Sequence, residues 1–309
     1  MRSCKCKFIF LIFVLSCNIW LNGSVFTYEQ ALSKCYELNL AIQKPKEDGR
    51  IYTLNQMGSS PFVADYKNRL FLEIGGDVIS KFLESGKGKR ILEIGGCYGD
   101  LMLTALEQSE NTIYTLNDLD ERHLFIAAKR LSEKIQQNLL NKNAVDQVTF
   151  VRADIANASD IRNLGQFDVI YVGKVLHFLT PEQFELAVKH IYLLLKPGGK
   201  VYIVAFSPYL KYLEKFIPTY EKRVNNCEKY PGFILNPREF IEITSSTPLA
   251  ITSVLDRSIF ALDPNTLQTT FKKSGFQIIE CKFTSPSNKS KIIITGKEVV
   301  VLIAQKETK

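Results

Sequence analysis

The sequence predicts an α/β protein built on a seven-stranded, mostly parallel, doubly wound sheet, and three observations carry that reading. Strand-like and helix-like stretches alternate from Lys89 onward. "RILEIGGCYGDL" runs a short apolar stretch into a cluster of small residues and then resumes an apolar pattern. A second apolar run closes on an acid, Asp118. Strands that alternate with helices need crossover connections, and crossovers make parallel sheet.

The elements follow in order. "KRILEIG" is a short apolar strand, "DLMLTALEQS" a helix and "NTIYTLND" the second strand. "DERHLFIAAKRLSEKIQQNLL" is a long helix with apolar positions at Leu124, Ala127, Ala128, Leu131 and Ile135. "QVTFVRAD" and "FDVIYVGK" supply two more strands. In the next helix Thr180 stands where a cap belongs, with Pro181 in the first turn and Gln183 completing a capping box; the glycines of "KPGGK" are expected to end it. "KVYIVAF" is the fifth strand, Asp263-Pro264 opens a helix that Gly275 closes, and "FQIIECKF" and "KEVVVLIAQ" complete the seven. Before Lys89, the stretch from Gly49 reads as a pair of helices with a Gly-Ser turn at Gly58 to Ser60.

At 309 residues the chain reads as one elaborated domain with an ordinary globular composition. The net charge of +7 argues against nucleic acid, because its excess sits at the two ends and not in one basic stripe. From Lys272 onward there are eight Lys against three Glu, while Pro208 to Arg257 is nearly balanced at seven basic and six acidic residues.

Arg2, Lys5 and Lys7 precede an apolar run from Phe8 to Cys17, extendable to Leu21, and small residues Gly23 and Ser24 follow. That is the layout of a secretory signal or of an uncleaved anchor, so residues 1–24 read as an export or membrane-contacting segment, with a cytoplasmic protein as the alternative. Of the seven cysteines, cleavage would leave four, an even number compatible with two disulfides. No paired short spacing marks a zinc site, and the cysteines read as mostly structural thiols.

Small residues after the first strand of a parallel sheet let backbone approach a bound nucleotide at the carboxyl edge. Glu93 lies just before Gly95, and Asp118 ends the second strand, where a carboxylate accepts hydrogen bonds from ribose hydroxyls. A dinucleotide fingerprint starting at Gly95 would need glycines where Cys97 and Asp100 stand, and no phosphate loop with Gly-Lys-Ser/Thr occurs. An acid in place of a phosphate cradle suits a cationic nucleoside, and S-adenosylmethionine carries an ammonium and a sulfonium.

On these residues the stretch from about Arg90 to Gln305 resembles a class I S-adenosylmethionine-dependent methyltransferase. "EIGGCYG" is similar to the family's first motif at Glu93, Gly95 and Gly99, with Cys97 in place of the middle glycine. Asp118 matches the ribose-binding acid, and Asp154 with Ile155 resembles the adenine-side pair. The resemblance implies the strand order 3-2-1-4-5-7-6 with the seventh strand antiparallel. It also implies a cofactor site that includes Gly96, Leu119 and Gly173, and N-terminal helices over residues 25–88 that cover the cofactor; Tyr52 and Met57 either reach it or, the favoured reading, pack in the core. Taken singly, Gly95 and Gly99 could be an ordinary turn, Asp118 a helix cap and Asp154 a loop starter; the ordered set favours the ligand.

The fourth strand ends in "YVGKVLHF", not in the Asn/Asp-Pro-Pro-aromatic motif of the family's nucleobase and glutamine methylating members. An insertion over residues 208–262 carries Tyr209, Tyr212, Phe216, Tyr220, Tyr230, Phe233 and Phe240, which either cap an apolar acceptor pocket or pack a small core of their own. A small organic acceptor is the expectation, with oxygen methylation favoured. A protein methyltransferase and a non-catalytic cofactor-binding protein are the alternatives. His177 follows the fourth strand in a segment similar to the histidine-containing stretch of plant-type small-molecule O-methyltransferases, with Phe178-Leu179 in place of their Asp-Trp, and is the candidate acceptor-side base, with packing or a contact to the cofactor as the other reading.

Overall fold

A computed structural model describes residues 23–40, 77–243, 255–285 and 295–308. The signal-like segment, Tyr52, Met57 and the Gly58 to Ser60 turn lie outside the described residues. Among the described residues no helix is long and apolar enough to cross a membrane.

The sheet runs β1 (Ser24–Phe26), β4 (Val148–Arg152), β3 (Ile113–Asp118), β2 (Arg90–Ile94), β5 (Phe167–Gly173), β6 (Leu195–Phe206), β10 (Val299–Lys306), β9 (Phe276–Thr284). The last seven of these reproduce the expected 3-2-1-4-5-7-6 order, with β10 antiparallel to both of its neighbours. The count of seven needs correction: β1 adds an eighth strand, antiparallel on β4 with Val25 opposite Val151. Its three residues carry no alternation long enough to mark a strand.

Helices cover both faces. Ile91, Tyr114 and Phe150 share one core with α1 (Tyr28–Glu37), α2 (Asp77–Gly86), α3 (Asp100–Gln108) and α4 (Glu121–Gln136). Leu92, Ile94, Ile170 and Val172 point to the other, where a short turn α5 (Ala158–Ile161), α6 (Pro181–Leu194) and α8 (Pro264–Lys273) pack. Adjacent β2 residues therefore feed opposite cores, and a strand buried on both sides reads as the continuous apolar run seen in the sequence.

The helix starts are side-chain built. Thr180 accepts from the Gln183 N–H, the Gln183 side chain accepts from the Thr180 N–H, and Pro181 fills a position whose N–H has no helical partner. Asp263 accepts from the Thr266 N–H at 2.9 Å to open α8, and Gly275 follows its end at φ +95°. The "KPGGK" glycines do something other than expected. Helix α6 ends at Leu194, and Leu195 already pairs with Phe167, because Pro197 forces Lys196 out of helical geometry. The next pairs are Val169 with Lys200, so the Pro-Gly-Gly stretch is a bulge inside β6, with Gly198 at φ +75°.

The 208–262 insertion holds α7 (Ile217–Asn225) and a two-stranded ladder, β7 (Phe233–Ile234) with β8 (Ile259–Phe260). Phe216, Tyr220 and Ile234 are buried in a separate core together with Leu210, Leu213 and Ile259, and Tyr209, Tyr212 and Phe240 pack on it. Tyr230 and Phe233 instead meet Phe260 edge-on, 5.5 and 6.0 Å between ring centroids. Most of the insertion's aromatics thus build its own core, and two fasten it to the α6 side of the sheet.

Candidate active site

The carboxyl ends of β2, β3, β4 and β5 lie side by side, and the sequence-predicted residues gather there. The turn after β2 is folded back on the sheet: the Gly95 and Gly96 N–H groups both donate to Asn117 O at 2.9 Å. Asn117 is itself buried and donates through its side chain to Val151 O and Ala153 O, at 3.0 and 2.9 Å, tying the ends of β3 and β4 together. At Gly95 and Gly96 an added side chain would have to displace its neighbours. A Cβ on Gly96 would fall 2.2 Å from Leu116 Cδ1, and one on Gly95 2.1 Å from Val175 Cγ2.

Cys97 occupies the middle-glycine position at φ +47°, a left-handed conformation that costs a non-glycine residue about 1–2 kcal/mol. Its N–H donates to Asp118 Oδ2 at 2.9 Å, so the small-residue turn and the acid form one unit. Gly99, at φ +74°, leads into α3, and the far side of the turn is clamped by Arg130, which donates to Tyr98 O at 2.5 Å and to Asp100 Oδ1 at 2.7 Å.

Asp118 does not cap the following helix; Asp120 does, accepting from the Arg122 N–H at 3.1 Å. That leaves the Asp118 carboxylate facing the edge. Its Oδ1 accepts from the Asp120 N–H at 3.0 Å and lies 3.2 Å from His123 Nδ1. Leu119 beside it is 61% exposed, the only one of the predicted cofactor residues whose side chain stands in solvent. Asp154 closes a tight turn after β4, accepting from the Ala156 N–H at 2.8 Å, and Ile155 is buried with its carbonyl 2.6 Å from His190 Nδ1.

Glu93 is buried beneath the turn: a Cβ on Gly96 would sit 2.9 Å from its carboxyl carbon. Tyr114 donates its hydroxyl to Glu93 Oε2 at 2.8 Å. Burial raises this carboxyl to about 8, against the pull of the Tyr114 hydrogen bond and with the help of Asp100 and Asp118.

Gly173 ends β5 and is buried, with its would-be Cβ 2.5 Å from Tyr171 Cε1. Lys174 follows in a left-handed conformation, φ +58°, its N–H bound to Val204 O at 2.7 Å. Its side chain is buried, and burial pulls the ammonium down to about 7. His177 is buried between Phe178 and Phe206, with ring centroids 4.0 and 4.9 Å away. Among the described residues neither of its ring nitrogens has a hydrogen-bond partner. Burial, then the charge of Lys174, lowers the imidazole to about 3, so it is neutral throughout the working range.

Sequence reasoning missed Asn117, His123, Arg130 and Lys174. His123 and Arg130 look like ordinary members of an amphipathic helix, and Asn117 like one more strand residue. Lys174 carried a signal, a lysine closing an apolar strand, but not one that separates a buried amine from a solvated one.

Residues 92–201 match the family model described as "Methyltransferase domain". A ubiquinone/menaquinone biosynthesis C-methyltransferase of Cupriavidus metallidurans is 32% identical over 138 residues, which are 44% of this chain and 51% of that protein. A highly reducing polyketide synthase of Alternaria alternata is 28% identical over 164 residues, 50% of this chain and 6% of the synthase. The chain thus spans about half the length of the first of these relatives. Among solved structures, a glycopeptide N-methyltransferase complexed with S-adenosylmethionine superposes with a TM-score of 0.50 at 15% identity, covering 75% of this chain and 94% of its own.

Proposed function

We infer the activity from one premise: the chain carries a class I S-adenosylmethionine-dependent methyltransferase domain. On that premise we propose that it transfers a methyl group to a small organic acceptor, with oxygen the favoured acceptor atom. One observation carries the cofactor reading. The bond from the Cys97 N–H to Asp118 Oδ2 joins the small-residue turn to the acid at one sheet edge.

The residues fit the group. A carboxylate has about four acceptor positions, and the Cys97 and Asp120 N–H groups take two on Asp118, leaving two for a ribose diol. Leu119 and Ile155 offer apolar surface and Asp154 a polar edge for the base, while Glu93, buried and protonated at neutral pH, supports the turn from beneath. Glycines 95, 96 and 173 keep side chains out of the space between. S-adenosylmethionine supplies a methyl group on a sulfonium, an activated leaving group. The protein's part is then mostly to hold the acceptor in line.

The acceptor side is proposed to be the end of β5. The Lys174 amine, part neutral near pH 7, takes the proton of an acceptor hydroxyl, and the neutral His177 ring donates its N–H to the same oxygen. A buried amine and a buried neutral imidazole at one strand end favour an acceptor that must lose a proton, which supports oxygen. Beside the start of α6, a groove of about 550 Å³ lined by Pro181, Tyr230, Phe233 and Leu235 with Arg223 and Lys229 is the proposed approach. Residues 25–88 are proposed to close over the cofactor, and residues 1–24 to export or anchor the chain. S-adenosylmethionine is an intracellular metabolite, so the catalytic domain is proposed to work facing a cytoplasm.

The test is incubation of the full chain with methyl-labelled S-adenosylmethionine and fractionated lipid, metabolite and protein pools. Label in a small-molecule fraction is the expected result. Label confined to protein would replace the acceptor proposed here.

A further inference from the structure

Cys97, Asp118 and His123 do more than line the turn. One ligand atom from each, a thiol sulfur, a carboxylate oxygen and a ring nitrogen, lies within 4.8 Å of the other two. We propose that these three side chains form a site for a zinc-class divalent cation, and that the ion and the ribose of an adenosyl ligand exclude one another at Asp118.

The donor set fits such an ion. Zinc takes sulfur, nitrogen and oxygen ligands at about 2.0–2.3 Å, which places tetrahedral donors about 3.3–3.8 Å apart, and three protein ligands leave the fourth position open. His123 gives an independent pointer. It is 5% exposed, and its Nδ1 is buried 3.2 Å from Asp118 Oδ1, yet out of line for a hydrogen bond. A cation bound here takes the place of the proton that Cys97 and Asp118 favour on the ring against its burial. The ring is steadied from outside: Tyr98 packs edge-on with centroids 5.1 Å apart, and Asp120 Oδ2 lies 3.9 Å from Nε2 on the far side, where an outer carboxylate orients a ligating histidine.

Cys97 is the residue that makes the site possible. A glycine would satisfy its left-handed backbone without strain but would provide no ligand. Binding forms one bond each to sulfur, nitrogen and oxygen and releases the thiol proton, together with any proton on the imidazole, so affinity rises with pH. The exclusion clause rests on the cofactor reading above. The metal site itself does not, since its three ligands are defined by their own geometry.

The experiment uses the full chain, stripped with a chelator and kept reduced. S-adenosylhomocysteine is titrated first into the metal-free protein; a failure there counts against the cofactor reading alone. Cobalt(II) is then added as the optical probe, and zinc by calorimetry. The proposal expects a thiolate-to-cobalt charge-transfer band in the near ultraviolet that disappears in Cys97→Gly, and zinc affinity lower by at least about 10–100-fold in Cys97→Gly and in His123→Ala. Zinc should also protect Cys97 from a thiol reagent in the unaltered chain, read peptide by peptide, which keeps the test valid if a variant fails to fold. Saturating zinc should weaken S-adenosylhomocysteine binding by at least tenfold. A missing cobalt band, a band that persists in Cys97→Gly, or unprotected Cys97 overturns the metal site. Simultaneous binding of both ligands at unchanged affinity overturns the exclusion.

Discussion

Cys97 gives its backbone N–H to Asp118 Oδ2 at 2.9 Å, and by that bond the turn after β2 and the end of β3 become one structure. Cys97 makes this bond from a left-handed backbone, φ +47°. The Gly95 and Gly96 N–H groups, held by Asn117 O, and the Arg130 clamp on Tyr98 and Asp100 fix the remaining parts of the turn.

Substitution at Cys97 should therefore read out backbone strain. Cys97→Gly is expected to change folding stability by no more than about 1 kcal/mol, since relief of strain offsets lost side-chain burial. Cys97→Val, branched at a positive φ, should destabilise by about 1–3 kcal/mol. Denaturant unfolding of both variants checks this, and equal effects would contradict it.

Glu93 should leave a pH signature. Its carboxyl stands at about 8 in the fold against an ordinary 4.5, so the folded chain holds an extra proton between those values. Stability then falls as pH rises across that window, by up to about 1.4 kcal/mol per pH unit from this group, and is flat above it. Glu93→Gln keeps an acceptor for Tyr114 and has no charge to bury. Its unfolding free energy should be flatter from pH 5 to 8, and parallel curves for parent and variant would refute the assignment.

Glu185 on α6 holds the insertion in place, bonded by Lys229 at 2.8 Å and by the Tyr230 hydroxyl. Those two hydrogen bonds lower its carboxyl to about 2 against a modest burial effect. The docking contribution is present above about 4.5 and is lost as pH falls through about 2. For so exposed a pair it is worth under about 1 kcal/mol. Hydrogen exchange in residues 226–234 should rise in Glu185→Gln at neutral pH, and the parent should approach the variant only at acid pH.

The acceptor-side proposal separates two residues by pH profile. Lys174, at about 7, should give turnover that rises with pH through that value and levels off, and Lys174→Met should lower turnover about a hundredfold and abolish the inflection. His177 is neutral throughout, so His177→Ala should lower turnover, by up to about a hundredfold, without moving the inflection. An inflection that shifts in His177→Ala instead would reassign the base.

Much of this architecture was legible because it is local. Apolar runs of strand length, the Thr180-Pro181-Gln183 capping box and the Asp263-Pro264 start are each encoded within a few residues, and the structure has them where the sequence places them. The turn at Gly95 to Gly99 and the acid at 118 were legible for the same reason. Lost from view was whatever depends on distant partners. β1 is a strand only because β4 offers it an edge, and the Pro-Gly-Gly bulge exists because β6 must come into register with β5. Likewise the burial of Lys174, which converts a surface-type residue into a candidate base, is set by elements far from it in sequence.

The most direct measurement is calorimetric titration of S-adenosylhomocysteine into the metal-free full chain and into Asp118→Ala. The account predicts one site on the parent and a loss of about 1–3 kcal/mol in the variant, the range for charge-assisted hydrogen bonds to a ribose. No binding to the parent, or equal binding to both proteins, would contradict it.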